Sequence, residues 1–393
     1  MGPLHDIIVL DFTRVLAGPY ATMVLGDLGA EIIKIEQPGS GDDSRAYGPY
    51  LNGESAYFMS LNRNKQSLTL NLKASEGIDI INKLVEQVDI VVENFRPGTM
   101  EKLGIGFDKL KQINPRLIYA STSGYGQTGP YSQRPAYDGV VQALGGIMSI
   151  TGQLGGQPTR VGPSVGDITA GLFCAIGILT ALHERNQSGK GQMVDVAMLD
   201  CQVAILENAI SRYGVTGEIP KPVGNRHPSI VPFEPFDTQT SPIMVAVGND
   251  RLWKTFCSLI NIDIAEDPRF NINPKRNENY VELRSIIANK LIEKTSEEWQ
   301  TIFDEAGIPN GPINTVDKVV HNEQVLARDM IVEMDHPIAG KMSMPGIPIK
   351  LSRTPGELKD PAPVLGADTD ALLKKYLRFS DADLEILRKN QVI

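Results

Sequence analysis

Residues 7–36 read Ile7-Ile-Val-Leu-Asp-Phe-Thr-Arg-Val-Leu-Ala-Gly-Pro-Tyr-Ala-Thr-Met-Val-Leu-Gly-Asp-Leu-Gly-Ala-Glu-Ile-Ile-Lys-Ile-Glu36. The stretch begins with a short apolar run at 7–11 and continues with a helical pattern at 20–28. It closes, after Gly29, with alternating isoleucines at 31–36. A strand, a helix and a second strand in this order are typical of a parallel sheet covered by helices. This stretch therefore decides the fold class, which we predict to be α/β.

The same alternation continues through the first half of the chain. Further strands are predicted at 67–72, 89–93, 117–121 and 192–198, and helices at 75–88 and 164–184. In the helix at 75–88 the apolar residues recur at the spacing of one helical face. We therefore expect one large domain with a mainly parallel sheet at 1–213.

A segment rich in glycine and proline, 214–242, is the best candidate for a linker between domains. Behind it, a smaller α+β domain is predicted at 243–339. Its elements are a strand at 241–247 and helices at 250–260 and 279–294. A second linker begins at residue 340, and the tail at 368–391 has a helical pattern.

The composition limits the function classes. The formal net charge is −9, and an acidic chain is a poor candidate for non-specific binding of nucleic acid. The three cysteines form no CxxC pair and no histidines have metal-ligand spacing, so neither a metal site nor a disulfide framework is predicted. No apolar run approaches the roughly 18 residues that span a bilayer, and no signal peptide is recognised. We expect a cytoplasmic protein without membrane contact.

One glycine motif suggests a cofactor that its context argues against. Gly124-Tyr-Gly-Gln-Thr-Gly129 follows a predicted strand and matches the pattern of dinucleotide-binding loops. Pro130 comes next, however, and residues 131–135 do not open a helix, which the motif needs to hold the pyrophosphate. We interpret the motif as a glycine-rich turn and predict no bound nicotinamide or flavin cofactor.

Asp167 has two possible roles. It lies in Gly162-Pro-Ser-Val-Gly-Asp-Ile-Thr-Ala-Gly171, where the long apolar helix begins, and aspartate is a favoured N-cap. The same position favours the ionised carboxylate, because the helix dipole and free N–H groups stabilise an anion. An ionised carboxylate is a nucleophile towards an acyl carbon. The residue pattern alone leaves the cap as the commoner role.

Three further features also have more than one interpretation. The loop Glu93-Asn-Phe-Arg-Pro-Gly98 follows a strand, where it can hold a phosphate or simply lead into the next helix. The strand at 67–72 is flanked by three basic residues, Arg63, Lys65 and Lys73. They can form a phosphate-binding site, but such residues more commonly belong to a solvated sheet edge. Tyr137 can donate a hydrogen bond to a carboxylate or be an ordinary half-buried aromatic residue.

Taken together, several segments resemble the class III CoA-transferase family, which includes carnitine CoA-transferase-like proteins and α-methylacyl-CoA racemases. The segments are Leu10-Asp-Phe-Thr-Arg-Val-Leu-Ala-Gly-Pro19, Leu25-Gly-Asp-Leu-Gly-Ala-Glu-Ile-Ile-Lys-Ile-Glu36, Arg63-Asn-Lys65, Glu93-Asn-Phe-Arg-Pro-Gly98, Gly124-Tyr-Gly126, Gly166-Asp167 and Gly189-Lys-Gly-Gln192. The resemblance implies a large Rossmann-like domain built from the N-terminal half and the C-terminal segment, here 340–393. It also implies a smaller inserted domain and a homodimer of two interlocked protomers.

The resemblance also implies residue roles. Asp167 matches the catalytic aspartate, which would form mixed anhydrides and an aspartyl-CoA thioester, with CoA and acyl-CoA as substrates and no permanently bound cofactor. The positions that would bind CoA are Val15, Leu72, Lys73, Asn94, Phe95, Arg96 and Lys102. Leu16 and Ala17 would bind the substrate and stabilise oxyanions, and Tyr137 would contact the substrate carboxylate.

Two departures narrow the function. Racemases carry a histidine where this chain has Tyr137, so one partner of a two-sided proton exchange is missing. Formyl-CoA:oxalate transferases carry a glutamine at the position of Leu16 and a run of glycines in the small domain, which makes oxalate doubtful here.

Within the family, the chain is most similar to succinyl-CoA:dicarboxylate transferases of the glutarate type. The similarity lies in Gly224-Asn-Arg-His-Pro-Ser-Ile-Val-Pro232 and Gly307-Ile-Pro-Asn-Gly-Pro-Ile-Asn314. Arg45 or Arg226 would then pair with the distal carboxylate of the acid. A 2-methylacyl-CoA racemase and a non-catalytic acyl-CoA-binding protein remain the alternatives.

Overall fold

The computed structural model of the protein describes residues 2–393, which form two compact units. The large unit comprises the chain up to Met148, Arg160–Val215 and Glu323–Ile393. The small unit comprises Ser149–Thr159 and Thr216–Asn322.

Strands and helices alternate through the first part of the chain. In chain order they are β1 (Ile8–Asp11), α1 (Ala17–Asp27), β2 (Glu31–Glu36), β3 (Tyr50–Leu51), β4 (Glu54–Ser55), α2 (Ala56–Leu61), β5 (Lys65–Thr69), α3 (Ser75–Val85), β6 (Ile90–Glu93), α4 (Thr99–Lys102), α5 (Phe107–Ile113), β7 (Ile118–Ser123), α6 (Asp138–Leu144), α7 (Ile147–Ile150), α8 (Val165–Ser188), β8 (Met193–Ala197), α9 (Met198–Ala204) and α10 (Ala209–Thr216).

The second part of the chain adds the small unit and then returns to the large one. Its elements are β9 (Phe233–Phe236), β10 (Ile243–Ala246), α11 (Asp250–Leu259), α12 (Asn273–Glu278), α13 (Tyr280–Leu291), α14 (Ser296–Ala306), β11 (Asn310–Pro312), α15 (Val316–Val319), α16 (Glu323–Ala327), β12 (Ile331–His336), β13 (Gly340–Pro345), α17 (Thr369–Leu377) and α18 (Asp381–Lys389).

The large unit is built on one six-stranded sheet in the order β5-β2-β1-β6-β7-β8. Every neighbouring pair is parallel, with Val9 of β1 opposite Ile32 of β2 and Ile90 of β6. Its inner strands β6 and β7 are buried along their whole length, as expected where both faces of a parallel sheet are covered. The predicted α/β class with a parallel sheet is confirmed.

Helices cover the two faces of this sheet with separate cores. One core joins the strands to α1 and α8, and the other joins them to α3, α5, α17 and α18. By length and composition α8 is apolar enough to cross a membrane, contrary to our expectation from the sequence. Its inner face, with Cys174 and Ile178, packs on the sheet, which is typical of a core helix.

Helices α1 and α8 approach each other tightly at Gly171. A Cβ atom there would lie 2.7 Å from the carbonyl oxygen of Ala17 and 3.0 Å from Cβ of Tyr20. Only glycine fits this contact without moving one of the helices. Gly171 therefore fixes the distance between the amino end of α1 and the first turns of α8.

The small unit has a three-stranded antiparallel sheet in the order β11-β10-β9. Helices α11, α13 and α14 bury Trp253, Phe256 and Phe303 against it. The smaller α+β domain was predicted at 243–339, whereas this unit comprises Ser149–Thr159 and Thr216–Asn322.

The unit boundaries differ because short strands lie where linkers were predicted. Strand β9 lies inside 214–242 and pairs with β10, so that segment belongs to the small unit. Strands β12 and β13 form a hairpin in which Ala339 and Met342 pack on Phe58 and Met59. The chain has therefore returned to the large unit by residue 323 and not at residue 340.

Two predicted elements have other limits. Strand β5 covers 65–69 instead of 67–72, because the Asn71 side chain accepts a bond from the Lys73 amide and turns the chain away. The tail forms two helices instead of one, because Arg378 between them adopts a left-handed conformation with φ 57°.

Replacing Gly171 with alanine is expected to lower the free energy of unfolding by about 1–3 kcal/mol, because the added methyl overlaps the Ala17 carbonyl. Urea denaturation measures the change. Gly139→Ala is the matched control, since a Cβ atom added to Gly139 on α6 would meet no atom within 4 Å. Equal stability of the two variants would contradict the tight α1–α8 contact.

Candidate active site

The carboxyl ends of β1 and β6 meet at the point where the strand order reverses. Open α/β sheets bind ligands at such points. The loop after β6 is tied to the loop after β1 by Asn94, whose side-chain oxygen accepts from the Arg14 amide at 2.8 Å. The Asn94 side-chain nitrogen donates to the Arg14 carbonyl, also at 2.8 Å. The predicted CoA contact Asn94 therefore holds the two loops together.

Residues 13–16, the Val15 turn, adopt a strained backbone. Val15 has φ 66°, which is unfavourable for a β-branched residue. Its amide donates to the Asp42 carboxylate at 3.1 Å, and the Lys34 ammonium donates to the Thr13 carbonyl at 2.8 Å. Strain of this kind persists only where the surroundings hold it, and it concentrates at functional sites.

The two groups that hold the Val15 turn form a buried ion pair. The Lys34 nitrogen lies 2.8 Å from an oxygen of Asp42, and both side chains are almost fully buried. Burial alone would raise the pKa of Asp42, but the Lys34 charge outweighs it and holds that pKa well below the usual range. Both groups therefore stay charged at neutral pH, and the pair is a rigid support for the turn.

The basic residues Arg63, Lys65 and Lys73 do not form a cluster. Arg63 donates two hydrogen bonds to Asp27, and Lys65 is buried 3.1 Å from Asp11. Burial lowers the pKa of Lys65 to about 8, against the attraction of Asp11. Of the three, only Lys73 lines a cavity at the carboxyl edge of the sheet, so both sequence interpretations were wrong for Arg63 and Lys65.

The Val15 turn leads directly into the amino end of α1. Leu16 precedes the first residue of α1, Ala17, and no side chain caps the helix. The first amides of a helix have no partner within it, so those near Leu16 and Ala17 can donate to a ligand. Asp167 lies one turn before Gly171 on the same face of α8, and Gly171 contacts Ala17. The predicted residues Leu16, Ala17 and Asp167 thus come together.

Asp167 is not the cap of α8. The helix begins at Val165 behind Ser164, and Asp167 is its third residue. Within residues 2–393, no group donates a hydrogen bond to the Asp167 carboxylate. Burial and the nearby Asp138 carboxylate raise the pKa of Asp167 to about 7. The prediction of an ionised carboxylate considered only the helix terminus, whereas burial and Asp138 act on Asp167 in the opposite direction.

Three tyrosines belong to the surroundings of Asp167. Burial and the Asp167 charge raise the pKa of Tyr57 to about 12. The Tyr47 ring packs edge-on against Tyr57 with 5.7 Å between ring centroids. Burial, Asp43 and Tyr137 raise the pKa of Tyr47. The hydroxyls of Tyr47 and Tyr57 therefore stay protonated at neutral pH and can donate hydrogen bonds to a carboxylate.

Only Tyr137 of these three was predicted, and its side chain is 76 % exposed. Tyr47 and Tyr57 were missed because nothing in their sequence surroundings links them to α8. Tyr57 is in α2, whose short helical pattern resembles that of an ordinary packed segment. The density of tyrosines at 47–57 is the one sequence signal that points to them.

Two cavities lie at this edge of the sheet and share Phe95. The first has a volume of ≈ 380 Å³, and Leu72, Lys73 and Arg14 are among the residues that line it. The second has a volume of ≈ 160 Å³ and is lined in part by Asn94, Arg96, Arg134 and Tyr137. Of the residues predicted to bind CoA, Lys102 lines neither cavity, and Val15 lies in the adjacent turn.

Neither of the two arginines predicted to pair with a substrate carboxylate lines these cavities. Arg45 donates two hydrogen bonds to Glu36, at 2.8 and 2.7 Å, and stacks on Phe58. Arg226 belongs to the small unit, where it stacks on Tyr280. Arg45 would have to leave a partly buried ion pair to bind substrate, which argues against that role.

Within residues 2–393, no group of three or more histidine, cysteine, aspartate or glutamate side chains is placed to hold a metal ion. The site instead combines the Asp167 carboxylate, which accepts no hydrogen bond within residues 2–393, with the free amides at the start of α1 and tyrosine hydroxyls. Cavities lined by basic residues lie beside them. Such a set can attack an acyl carbon and stabilise the oxyanion that forms.

Comparison with known proteins identifies the family. The sequence model of CoA-transferase family III matches residues 4–369. The chain belongs to CoA-transferase family III. This transferase is 40% identical over 395 residues to a mouse protein, "Succinyl-CoA:glutarate CoA-transferase", covering 100% of this chain and 91% of that one. It is 43% identical over 378 residues to "Acetyl-CoA:oxalate CoA-transferase" of Acetobacter aceti, covering 95% and 96%.

A solved structure agrees with the sequence relatives. A CAIB/BAIF family protein from Brucella suis superposes with a TM-score of 0.84 and 35% identity, over 95% of this chain and 99% of that chain. The protein is therefore an enzyme that uses CoA thioesters as substrates.

Replacing Lys34 with methionine is expected to destabilise the transferase by roughly 3–5 kcal/mol, because it leaves the buried Asp42 carboxylate without its counter-charge. Urea denaturation measures the loss. The double variant Lys34→Met with Asp42→Asn is the control, and it should be more stable than Lys34→Met alone. A Lys34→Met single variant as stable as the wild type would show that the pair does not hold the turn.

Proposed function

We propose that this transferase moves CoA from an acyl-CoA, foremost succinyl-CoA, to a dicarboxylic acid of the glutarate type through covalent intermediates on Asp167. The observation that carries the proposal is the unbonded, partly buried Asp167 carboxylate beside the uncapped start of α1. The donor and acceptor come from the name of the mouse relative, which is 40% identical over the whole chain.

The first half of the reaction loads CoA onto the enzyme. An Asp167 oxygen attacks the thioester carbonyl carbon, the new C–O bond forms, and the C–S bond breaks to release CoA thiolate. The thiolate then attacks the Asp167 carbon of the mixed anhydride. The C–S bond forms there, and the donor acid leaves with the electron pair of the broken C–O bond.

The second half repeats these steps in reverse order with the acceptor. A carboxylate oxygen of the acceptor attacks the aspartyl thioester and releases the thiolate, which leaves a second anhydride on Asp167. The thiolate attacks the acceptor's acyl carbon, and Asp167 departs as a carboxylate. No proton, electron or further reactant is consumed, so one nucleophilic carboxylate is sufficient.

Oxyanions form at each of these steps next to the start of α1. The amides near Leu16 and Ala17 and the protonated hydroxyl of Tyr57 are the donors we assign to them. Donors held in place before the reaction stabilise developing charge more effectively than water does. In the proposal, the strained Val15 turn holds these donors in place, because it sets the direction of the first amides of α1.

The two cavities at the sheet edge are assigned to CoA. Lys73 and Arg14 line the larger one, and Arg96 and Arg134 line the smaller one. Ion pairing with such residues suits the phosphates of CoA, and the apolar side chains of Leu72 and Phe95 suit the pantetheine chain.

A homodimer, interlocked as the family resemblance implies, is part of the proposal. The outer face of α8 exposes Leu172, Phe173 and Ile176, and the neighbouring α6 exposes Val140 and Leu144. An apolar face of this kind is suited to association with a second copy. Covering it would also protect the anhydride and thioester near Asp167 from water.

Oxalate with an acetyl-CoA donor is the second candidate. It is favoured by the Acetobacter aceti relative, which is 43% identical. The sequence departs from formyl-CoA:oxalate transferases at Leu16, which is the reason for placing oxalate second.

Mass spectrometry after incubation with succinyl-CoA is expected to find CoA attached through Asp167. Asp167→Asn should lose the adduct and at least about 10³-fold in turnover, because the nucleophile is removed. Asp200→Asn is the matched control, since Asp200 is the third residue of α9 as Asp167 is of α8. Full exchange activity in Asp167→Asn would refute the assigned role.

Deuterium uptake at the α-carbon of a 2-methylacyl-CoA would indicate a racemase. Tight CoA binding without turnover would indicate a binding protein.

A screen of acceptors tests the substrate class. With succinyl-CoA as donor, glutarate is expected to exceed pentanoate by at least about 10²-fold in kcat/KM, because a site that binds the distal carboxylate rejects the analogue without it. Glutarate with succinyl-CoA should also exceed oxalate with acetyl-CoA. The opposite order of these two pairs would favour the second candidate.

A further inference from the structure

Asp138 is a buried carboxylate directly behind Asp167. It is the first residue of α6, and only 8% of it is exposed. One of its oxygens accepts a hydrogen bond from the Gly166 amide at 2.8 Å, and the other accepts from the Gln142 side chain at 2.8 Å. Both oxygens of the Asp138 side chain are therefore held in place by hydrogen bonds.

Asp138 and Gln142 together hold the segment that leads into α8. The side-chain oxygen of Gln142, which is fully buried, accepts from the Val161 amide at 2.9 Å. A Cβ atom on Gly166 would lie 3.0 Å from an oxygen of Asp138 and 2.8 Å from Val141. The first turn of α8 is therefore in direct contact with the Asp138 carboxylate.

The Asp138 charge is not neutralised by a basic residue. Neither Asp138 nor Asp167 takes part in any ion pair found in residues 2–393. The charged group that acts on Asp167 is Asp138 from α6. Asp167 itself acts on the Tyr57 hydroxyl from α2, with Tyr47 and Tyr137 beyond. Asp138 is the one that repels a charge on Asp167.

We propose that Asp138 is a positioning residue of the transfer reaction, which fixes the first turn of α8 through Gly166 and destabilises the free Asp167 carboxylate by repulsion. The proposal rests on the function assigned to Asp167 above. Its basis is the pair of hydrogen bonds, the glycine that permits the contact, and the missing counter-charge.

The repulsion acts on only some states of the enzyme. Attack by Asp167 moves its negative charge to the thiolate sulfur, and residue 167 is neutral in both the anhydride and the thioester. The free carboxylate is therefore raised in energy relative to the covalent states. An interaction that is relieved on the way to the transition state accelerates the step.

Variants that remove the charge but keep a hydrogen-bond acceptor test this role. Asp138→Asn, with Asp138→Ser as a second uncharged variant, should move the acid limb of kcat/KM for succinyl-CoA to lower pH by about one unit. At the alkaline plateau, turnover should fall by about tenfold. The reason is that repulsion by Asp138 no longer favours the attack, which moves the negative charge from Asp167 to the thiolate sulfur. The fraction of enzyme carrying CoA on Asp167 should fall as well.

Asp138→Glu is the matched control, because it keeps the charge and disturbs the fit at Gly166. It should lose turnover while its acid limb stays at the wild-type pH. An unshifted limb in the uncharged variants, with turnover lost as in Asp138→Glu, would overturn the proposal and leave Asp138 with a purely structural role. A wild-type enzyme without the Asp167 adduct would instead refute the proposed function itself, and this role with it.

Discussion

The ion pair between Lys34 and Asp42 is the constraint on which the rest of the site depends. It lies beneath the sheet edge with both side chains buried, and each partner also holds the Val15 turn. A left-handed valine costs of order 1–3 kcal/mol, so the turn needs such support. A buried pair adds little net stability compared with apolar residues, but losing one partner is severe. The ion pair therefore selects one backbone conformation of the Val15 turn and contributes little to overall stability.

That conformation determines where α1 begins, and α1 in turn determines the position of α8. The carbonyl of Ala17 lies against Gly171, and Asp167 follows one turn away on the same face. From the other side, Asp138 holds the amide of Gly166. The segment that carries Asp167 is thus located by contacts with two separate helices, while the Asp167 oxygens accept no hydrogen bond within residues 2–393.

The sequence predicted the sheet well because its strands are short apolar runs between helical patterns, as in residues 31–36. The motif singles out Asp167, but the sequence does not show the burial and the Asp138 carboxylate that raise its pKa. Helix position is visible in a sequence, whereas burial and the approach of Asp138 depend on tertiary packing. Lys65 was misjudged for the same reason, because its partner Asp11 lies on a strand two positions away in the sheet. The small-unit limits were missed because β9 lies in a segment with proline, where strands are hard to recognise.

Two opposing effects meet at Asp167, and their balance suits the role proposed for it, in which the carboxylate first attacks and later leaves. The amino end of α8 favours the anion, while burial and Asp138 disfavour it, and the raised pKa shows which side prevails. A carboxylate of ordinary pKa would be always ionised but weakly nucleophilic, and one of much higher pKa would rarely be ionised. Reactivity rises with basicity, so the product of population and reactivity is largest when the pKa lies near the working pH. In the proposed reaction, a pKa raised to about 7 would keep Asp167 available at neutral pH and make it more reactive than an exposed aspartate.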